Sequence, residues 1–207
     1  GKYKKLLTLA FFVIMALVLF TNLAAYISGA AEIISELLGI SLWLSRLLFY
    51  VAAASVVLFG LKAVGVSEKL AVGIILLLVG LLACFSLLHI RNPLPVKAGS
   101  LTEGLAYFGM AMFAFSAFFS VPQAAAGLGG DGKKVRKAVF LGLLNNVILI
   151  TVITVCALLS SAQVTEVAMI GWSRGIGSWA EIVGSLFTIL AMLTTYWSIS
   201  LALADIV

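Results

Sequence analysis

Three groups of residues in this sequence could do chemistry. The first surrounds Pro122, which lies deep in a run without charges, with Ser116 and Ser120 shortly before it. A proline there cannot donate to the carbonyl of Phe118. In lipid, backbone groups released within a helix persist only where protein, water or ligand meets them. Discontinuous helices of this kind form the substrate and ion sites of secondary transporters. A plain proline kink, satisfied by neighbouring helices, is the other reading, and the absence of glycine between Phe113 and Gln123 favours it. The second group is Thr194-Thr195-Tyr196-Trp197-Ser198-Ile199-Ser200. Its hydroxyl oxygens suit a hard cation such as Na⁺ or a polar substrate; alternatively, they bond back to carbonyls one turn earlier. The third is Asn22, Tyr26 and Gly29, whose spacing places them on one helix face. Tyr26 is a candidate cavity-lining residue, and Gly29 permits close helix approach. In the polar pair Asn145-Asn146, one side chain is expected to bond to a neighbouring helix.

Enzyme chemistry finds no such support. Cys84 and Cys156 stand alone in apolar runs, and His89 is the single histidine. They make neither a metal spacing nor a disulfide framework. No Ser/His/Asp set and no carboxylate pair at helical spacing lies within an apolar run, so the chain reads as a non-enzyme without a metal or other cofactor, Na⁺ as a coupling ion apart. The stretch from Gly127 to Lys134 is close to a nucleotide-binding P-loop. It lacks the hydroxyl residue after the lysine and follows an apolar helix rather than a strand, so it reads as a turn.

The elements that must position these residues follow from the charges. Hydrophobic residues make up 63% of the chain and charged residues 10%, against about 25% charged in soluble domains, which excludes a soluble globular fold. Charge-free runs extend from Leu6 to Ala31, Leu70 to Ile90, Gly104 to Gly130, Ala138 to Thr165 and Ile182 to Ala204. Each meets the roughly 20 residues a spanning helix needs. A further run near Ile40 to Leu61 carries Arg46 close to one end, where a long basic side chain reaches the interface. The expectation is an all-α polytopic membrane protein forming one transmembrane domain over 1–207. Its six helices fall at about 6–30, 40–62, 68–90, 104–128 (broken near Pro122), 138–161 and 182–205. The stretch from Val164 to Ile170 is a candidate short re-entrant or surface helix. The net charge of +5 reflects loop lysines and arginines rather than a nucleic-acid-binding face. With the N-terminus inside, the inner segments hold Lys2, Lys4, Lys5, Lys62, Lys69, Lys133, Lys134, Arg136 and Lys137. The outer ones hold only Arg46, Arg91, Lys97 and Arg174. This bias places both ends of the chain on the cytoplasmic side of a plasma or inner membrane.

Four segments, in order, resemble the hydroxy and aromatic amino acid permeases of the amino acid/polyamine/organocation superfamily. Ala25-Tyr26-Ile27-Ser28-Gly29 resembles their third helix, and Leu61 to Lys69 their fourth-to-fifth helix loop. Val121-Pro122 with Gly130 to Gly142 is similar to their sixth-to-seventh helix junction. Thr194-Thr195 with Leu201 to Asp205 is similar to their eighth helix. The resemblance implies the LeuT-type inverted-repeat fold, with the six runs as helices three to eight, so that the chain is a central piece lacking the first two. It implies a secondary amino acid transporter for aromatic or large neutral substrates, coupled to H⁺ or Na⁺. Substrate contacts would come from Tyr26, Phe115, Ser116, Ala117, Phe118, Phe119 and Ser120, and Thr194 and Thr195 would help hold the cation. The alternative is a non-transporting six-helix membrane assembly module that packs against a partner.

Overall fold

A computed structural model of the chain describes residues 2–92, 99–115, 120–161 and 168–206. The described residues form eight helices: α1 (Lys2–Leu38), α2 (Leu42–Leu58), α3 (Gly60–Ser86), α4 (Leu101–Ala114), α5 (Ser120–Gly127), α6 (Gly132–Ser160), α7 (Ala168–Ile176) and α8 (Ser178–Ile206). Among them α1, α3, α6 and α8 are long and apolar enough to cross a membrane, which makes this a membrane-embedded helical protein. A helix satisfies its own backbone where no water is present, and that is why continuous apolar runs fold this way in lipid.

Local chemistry sets the ends. Ser41 caps α2 by accepting from the Leu44 amide at 3.4 Å. That helix has 17 residues, about 25 Å, a little short of the roughly 30 Å hydrocarbon core. It stops at Leu58 because Gly60 turns the chain through φ +79°, a conformation that favours glycine. Leu61 and Lys62, expected at the end of the second span, therefore open α3. Glu68 and Lys69, expected at a boundary, lie inside it. Ser100 and Glu103 form a capping box at α4: the Ser100 amide donates to Glu103 Oε2 at 2.6 Å, and the Glu103 amide donates to Ser100 Oγ at 3.3 Å.

The glycine turn before α6 replaces the nucleotide-binding loop its sequence imitates. Gly129 and Gly130 take φ of +64° and +73°, and the Gly130 amide returns to the Ala125 carbonyl at 2.9 Å. Asp131 then caps α6, accepting from the amides of Lys133 at 3.0 Å and Lys134 at 3.3 Å. The Lys134 amide first, then that of Lys133, holds the Asp131 carboxyl below the usual carboxylate range. The Ser100 amide does the same for Glu103. Both groups are charged more readily in the folded chain. Their stabilisation is present above the ordinary carboxylate pKa and is lost as pH falls through the lowered one. Thermal melting of the detergent-solubilised protein should thus drop on acidification below about pH 4. The drop should be shallower in Asp131→Asn, which keeps a capping oxygen without the titrating charge.

The chain divides into two compact units. One comprises residues 1–75 and 188–207. Its core gathers Ala30, Phe49, Ala53, Val64, Ala71, Tyr196, Trp197 and Leu201. The Phe49 and Tyr196 rings meet edge-on at 5.9 Å, and Trp197 Nε1 donates to the Ala53 carbonyl at 3.1 Å. A side chain at Gly29 would touch Met192 at 3.0 Å, so α1 and α8 approach closely at that glycine.

The other unit, residues 76–187, is organised around α7. Met169, Trp172, Ser173 and Ile176 are buried at helical spacing. The Trp172 indole donates to Ser86 Oγ, which in turn donates to the Leu82 carbonyl at 2.8 Å. Ser160 Oγ donates to the Cys156 carbonyl at 2.7 Å and lies 3.3 Å from Ser86 Oγ. The amides of Arg91 and Asn92 both reach the Leu159 carbonyl, at 2.8 and 3.0 Å. These bonds satisfy the polar groups at the end of α6, where carbonyls have no partner in their own helix.

Candidate functional site

Two clusters of polar groups emerge, one in each unit. In the unit formed by residues 76–187, α4 closes at Ala114 and Phe115 is in a turn. The Asn146 side-chain amide, from α6, donates to the Ala114 carbonyl at 3.0 Å. That carbonyl belongs to the last turn of α4, where backbone acceptors are left over by the helix. Asn146 thus supplies the bond from α6 expected of the Asn145-Asn146 pair. Pro122 lies in the first turn of α5, where its missing donor breaks no bond within the helix. Ser120 and Asn146 line a cleft of about 330 Å³ together with Val121, Ala124, Val139 and Leu143. Its walls carry no formal charge. Of the expected substrate residues on this stretch, Phe115 is partly exposed and Ser120 opens α5. Ser116, Ala117, Phe118 and Phe119 lie outside the described residues.

In the unit formed by residues 1–75 and 188–207, the hydroxyl-rich stretch of α8 presents two faces. Thr194 and Thr195 both donate to the Ala191 carbonyl, each at 2.9 Å. Back-bonding of this kind uses their protons and leaves their oxygen lone pairs. Ser198 shares their face and donates to Glu68 Oε1 at 2.6 Å. Tyr196 and Ser200 point another way, lining a cavity of about 300 Å³ with Leu23, Tyr50, Val57 and Leu203. The Ser200 hydroxyl is buried and makes no hydrogen bond of normal geometry among the described residues; the Tyr196 phenol is its neighbour one turn earlier. Tyr26 is half-buried on α1 in the same unit. On its face of α1 the Asn22 amide is turned back to the Val18 carbonyl at 3.0 Å.

The expected site residues therefore fall in two sets: Tyr26, Thr194 and Thr195 in one unit, Phe115, Ser120 and Pro122 in the other. Among the described residues, no three His, Cys, Asp or Glu side chains come together as metal ligands. Sequence reasoning missed Glu68, having used its charge as a boundary between spans. A signal was present: Val64, Glu68 and Ala71 are spaced by four and three, one face of one helix. No family model, curated protein or solved structure matches this chain.

Proposed function

We propose that the chain is the helical core of a secondary active transporter for aromatic or large neutral amino acids, coupled to H⁺ or Na⁺. The observation that carries this reading is the end of α4 at Ala114, followed by a turn at Phe115 inside the charge-free run from Gly104 to Gly130, with the Ala114 carbonyl held by Asn146 from another helix. Backbone atoms freed at membrane depth are tolerated beside a cavity, and there they meet the charged ends of a small zwitterion. The uncharged cleft walls of Val121, Ala124, Val139 and Leu143 suit an apolar side chain. The resemblance to the hydroxy and aromatic amino acid permeases supports the same substrate class and a LeuT-type arrangement. It also supports six spans: α1, α2, α3, α4 with α5, α6 and α8.

Full-length protein reconstituted in liposomes should accumulate labelled tryptophan, tyrosine, phenylalanine or leucine against a gradient when H⁺ or Na⁺ is supplied on one side. Asn146→Leu should lower that uptake by roughly tenfold, the worth of one well-placed polar contact. Absence of accumulation for every amino acid under both gradients would refute the reading.

The apolar windows of α1 and α6 are only 11% and 6% buried, which favours a second reading. Faces of this kind meet either lipid or a partner, and a membrane assembly module would use them for the partner. Such a module would purify as an oligomer of defined size and show no uptake.

A further inference from the structure

We propose that Glu68, with Ser198, forms a proton-binding site within the helix packing of the unit made by residues 1–75 and 188–207. This deepens the transport reading by assigning the coupling ion, and it rests on that reading only for its role in coupling.

The position of the carboxyl carries the argument. Glu68 follows Val64 by four residues and precedes Ala71 by three, and both neighbours are buried in the core with Tyr196, Trp197 and Leu201. Its carboxyl therefore stands on the packed face of α3, not in a loop. Ser198 Oγ donates to Oε1 at 2.6 Å, a length typical of a hydroxyl bonded to a carboxylate. Oε2 has no hydrogen-bond partner among the described residues. Among the described residues no cation pairs with it. Lys62 and Lys69, on the same helix, are exposed, and neither pairs with Glu68. The other titratable or charged groups described in this unit are Tyr3, Lys4, Lys5, Tyr26, Glu32 and Glu36 on α1, Arg46 and Tyr50 on α2 and Tyr196 on α8; the side chains of Lys2 and Asp205 lie outside the described residues. Among the described residues none of them makes an ion pair or hydrogen bond with Glu68. A carboxylate half-buried against apolar side chains, with no paired cation, is costly to keep charged, and taking up a proton relieves that cost. Ionisable residues within spanning helices mark ion and proton paths, and Glu68 lies inside α3, one of the candidate spans.

The oxygen count favours a proton over a metal cation. One carboxylate and one hydroxyl are far fewer than the six or more oxygens a hard cation such as Ca²⁺ gathers. The hydroxyl already turns its hydrogen, not its lone pair, toward the carboxylate. A proton adds to a lone pair of Oε2, giving a neutral acid while Ser198 keeps its bond to Oε1. Release returns the proton to water and restores the carboxylate.

Infrared spectroscopy of the full-length protein in lipid, titrated from about pH 4 to about pH 9, reads this site without transport. The wild type should show a carboxylic acid carbonyl band that disappears as pH rises. The band should be absent in Glu68→Gln and shifted in frequency in Ser198→Ala, which removes the hydroxyl donor. A wild type without a titrating band, or a band that persists in Glu68→Gln, overturns the assignment. So does a band that Na⁺ abolishes at constant pH, since that marks a cation site. In proteoliposomes, Glu68→Gln should lose the about tenfold accumulation that a gradient of one pH unit supports in one-to-one coupling. Accumulation equal to wild type would overturn the coupling role. A wild type that moves no amino acid refutes the transport reading alone, and the infrared titration still decides the proton site.

Discussion

Gly175→Ala is expected to unseat α7 and to give the largest loss of stability of any single methyl added to this chain. A Cβ at Gly175 would collide with the Ser160 carbonyl, 2.7 Å from its carbon and 3.0 Å from Ser161 Cα. The obstacle is backbone at the end of α6, whose preceding Leu159 carbonyl is held by the Arg91 and Asn92 amides, so it cannot swing aside as a side chain could. Overpacking of a buried site costs about 1–3 kcal/mol, and a rigid obstacle places this case at the upper end. Gly80→Ala is the control, because a Cβ there meets nothing within 4 Å. In a helix interior it should be neutral or stabilising by up to about 1 kcal/mol. Thermal unfolding of both variants in one detergent separates the two outcomes. Equal melting temperatures would show that the α7–α6 contact is looser than described.

The second large effect concerns Trp172, which is 0% exposed and the largest fully buried side chain. Trp172→Ala should cost about 3–5 kcal/mol, the usual range for emptying a buried aromatic site. Trp172→Phe keeps most of the volume and removes the indole donor to Ser86. Its cost should be smaller, about 1–3 kcal/mol, because the Ser86 oxygen loses a donor in a buried setting. Ser86→Ala in the Trp172→Phe background should then add less than it does alone, since the two changes remove one interaction. Additive losses in melting experiments would show that the indole and the serine act independently.

The long apolar elements were legible because lipid imposes one rule on every span: the backbone must bond within its own helix, so a charge-free run of sufficient length can hardly be anything else. The same rule misplaces what charges do. Taking Lys62, Glu68 and Lys69 as punctuation put the start of the third span at 68, whereas the helix runs from Gly60 straight through them. A lysine can reach away from the packed face and leave the helix intact. Glu68 could be recognised only by asking which face it shares with Val64 and Ala71. For α7, the glycines obscured the pattern. The sequence places the short helix at 164–170, ahead of Gly171 and Gly175. The helix is Ala168–Ile176, and both glycines are buried within it. Residues 162–167 lie outside the described part. The hydroxyls of Thr194 and Thr195 show why a polar cluster in an apolar helix is ambiguous: their bonds to Ala191 look the same in sequence as ligands would.

The length of α1 has a consequence for the membrane itself. At about 1.5 Å per residue, its 37 residues reach about 55 Å, and the charge-free part between Lys5 and Glu32 alone is about 39 Å. The hydrocarbon layer measures about 30 Å. Keeping that whole part in hydrocarbon requires a tilt of about 40°, the steep end of what spanning helices show. Each ångström of added bilayer thickness relieves the mismatch and lets the helix stand more upright. Lipid chain length and sterol content, by setting that thickness, therefore bear on the angle at which α1 crosses.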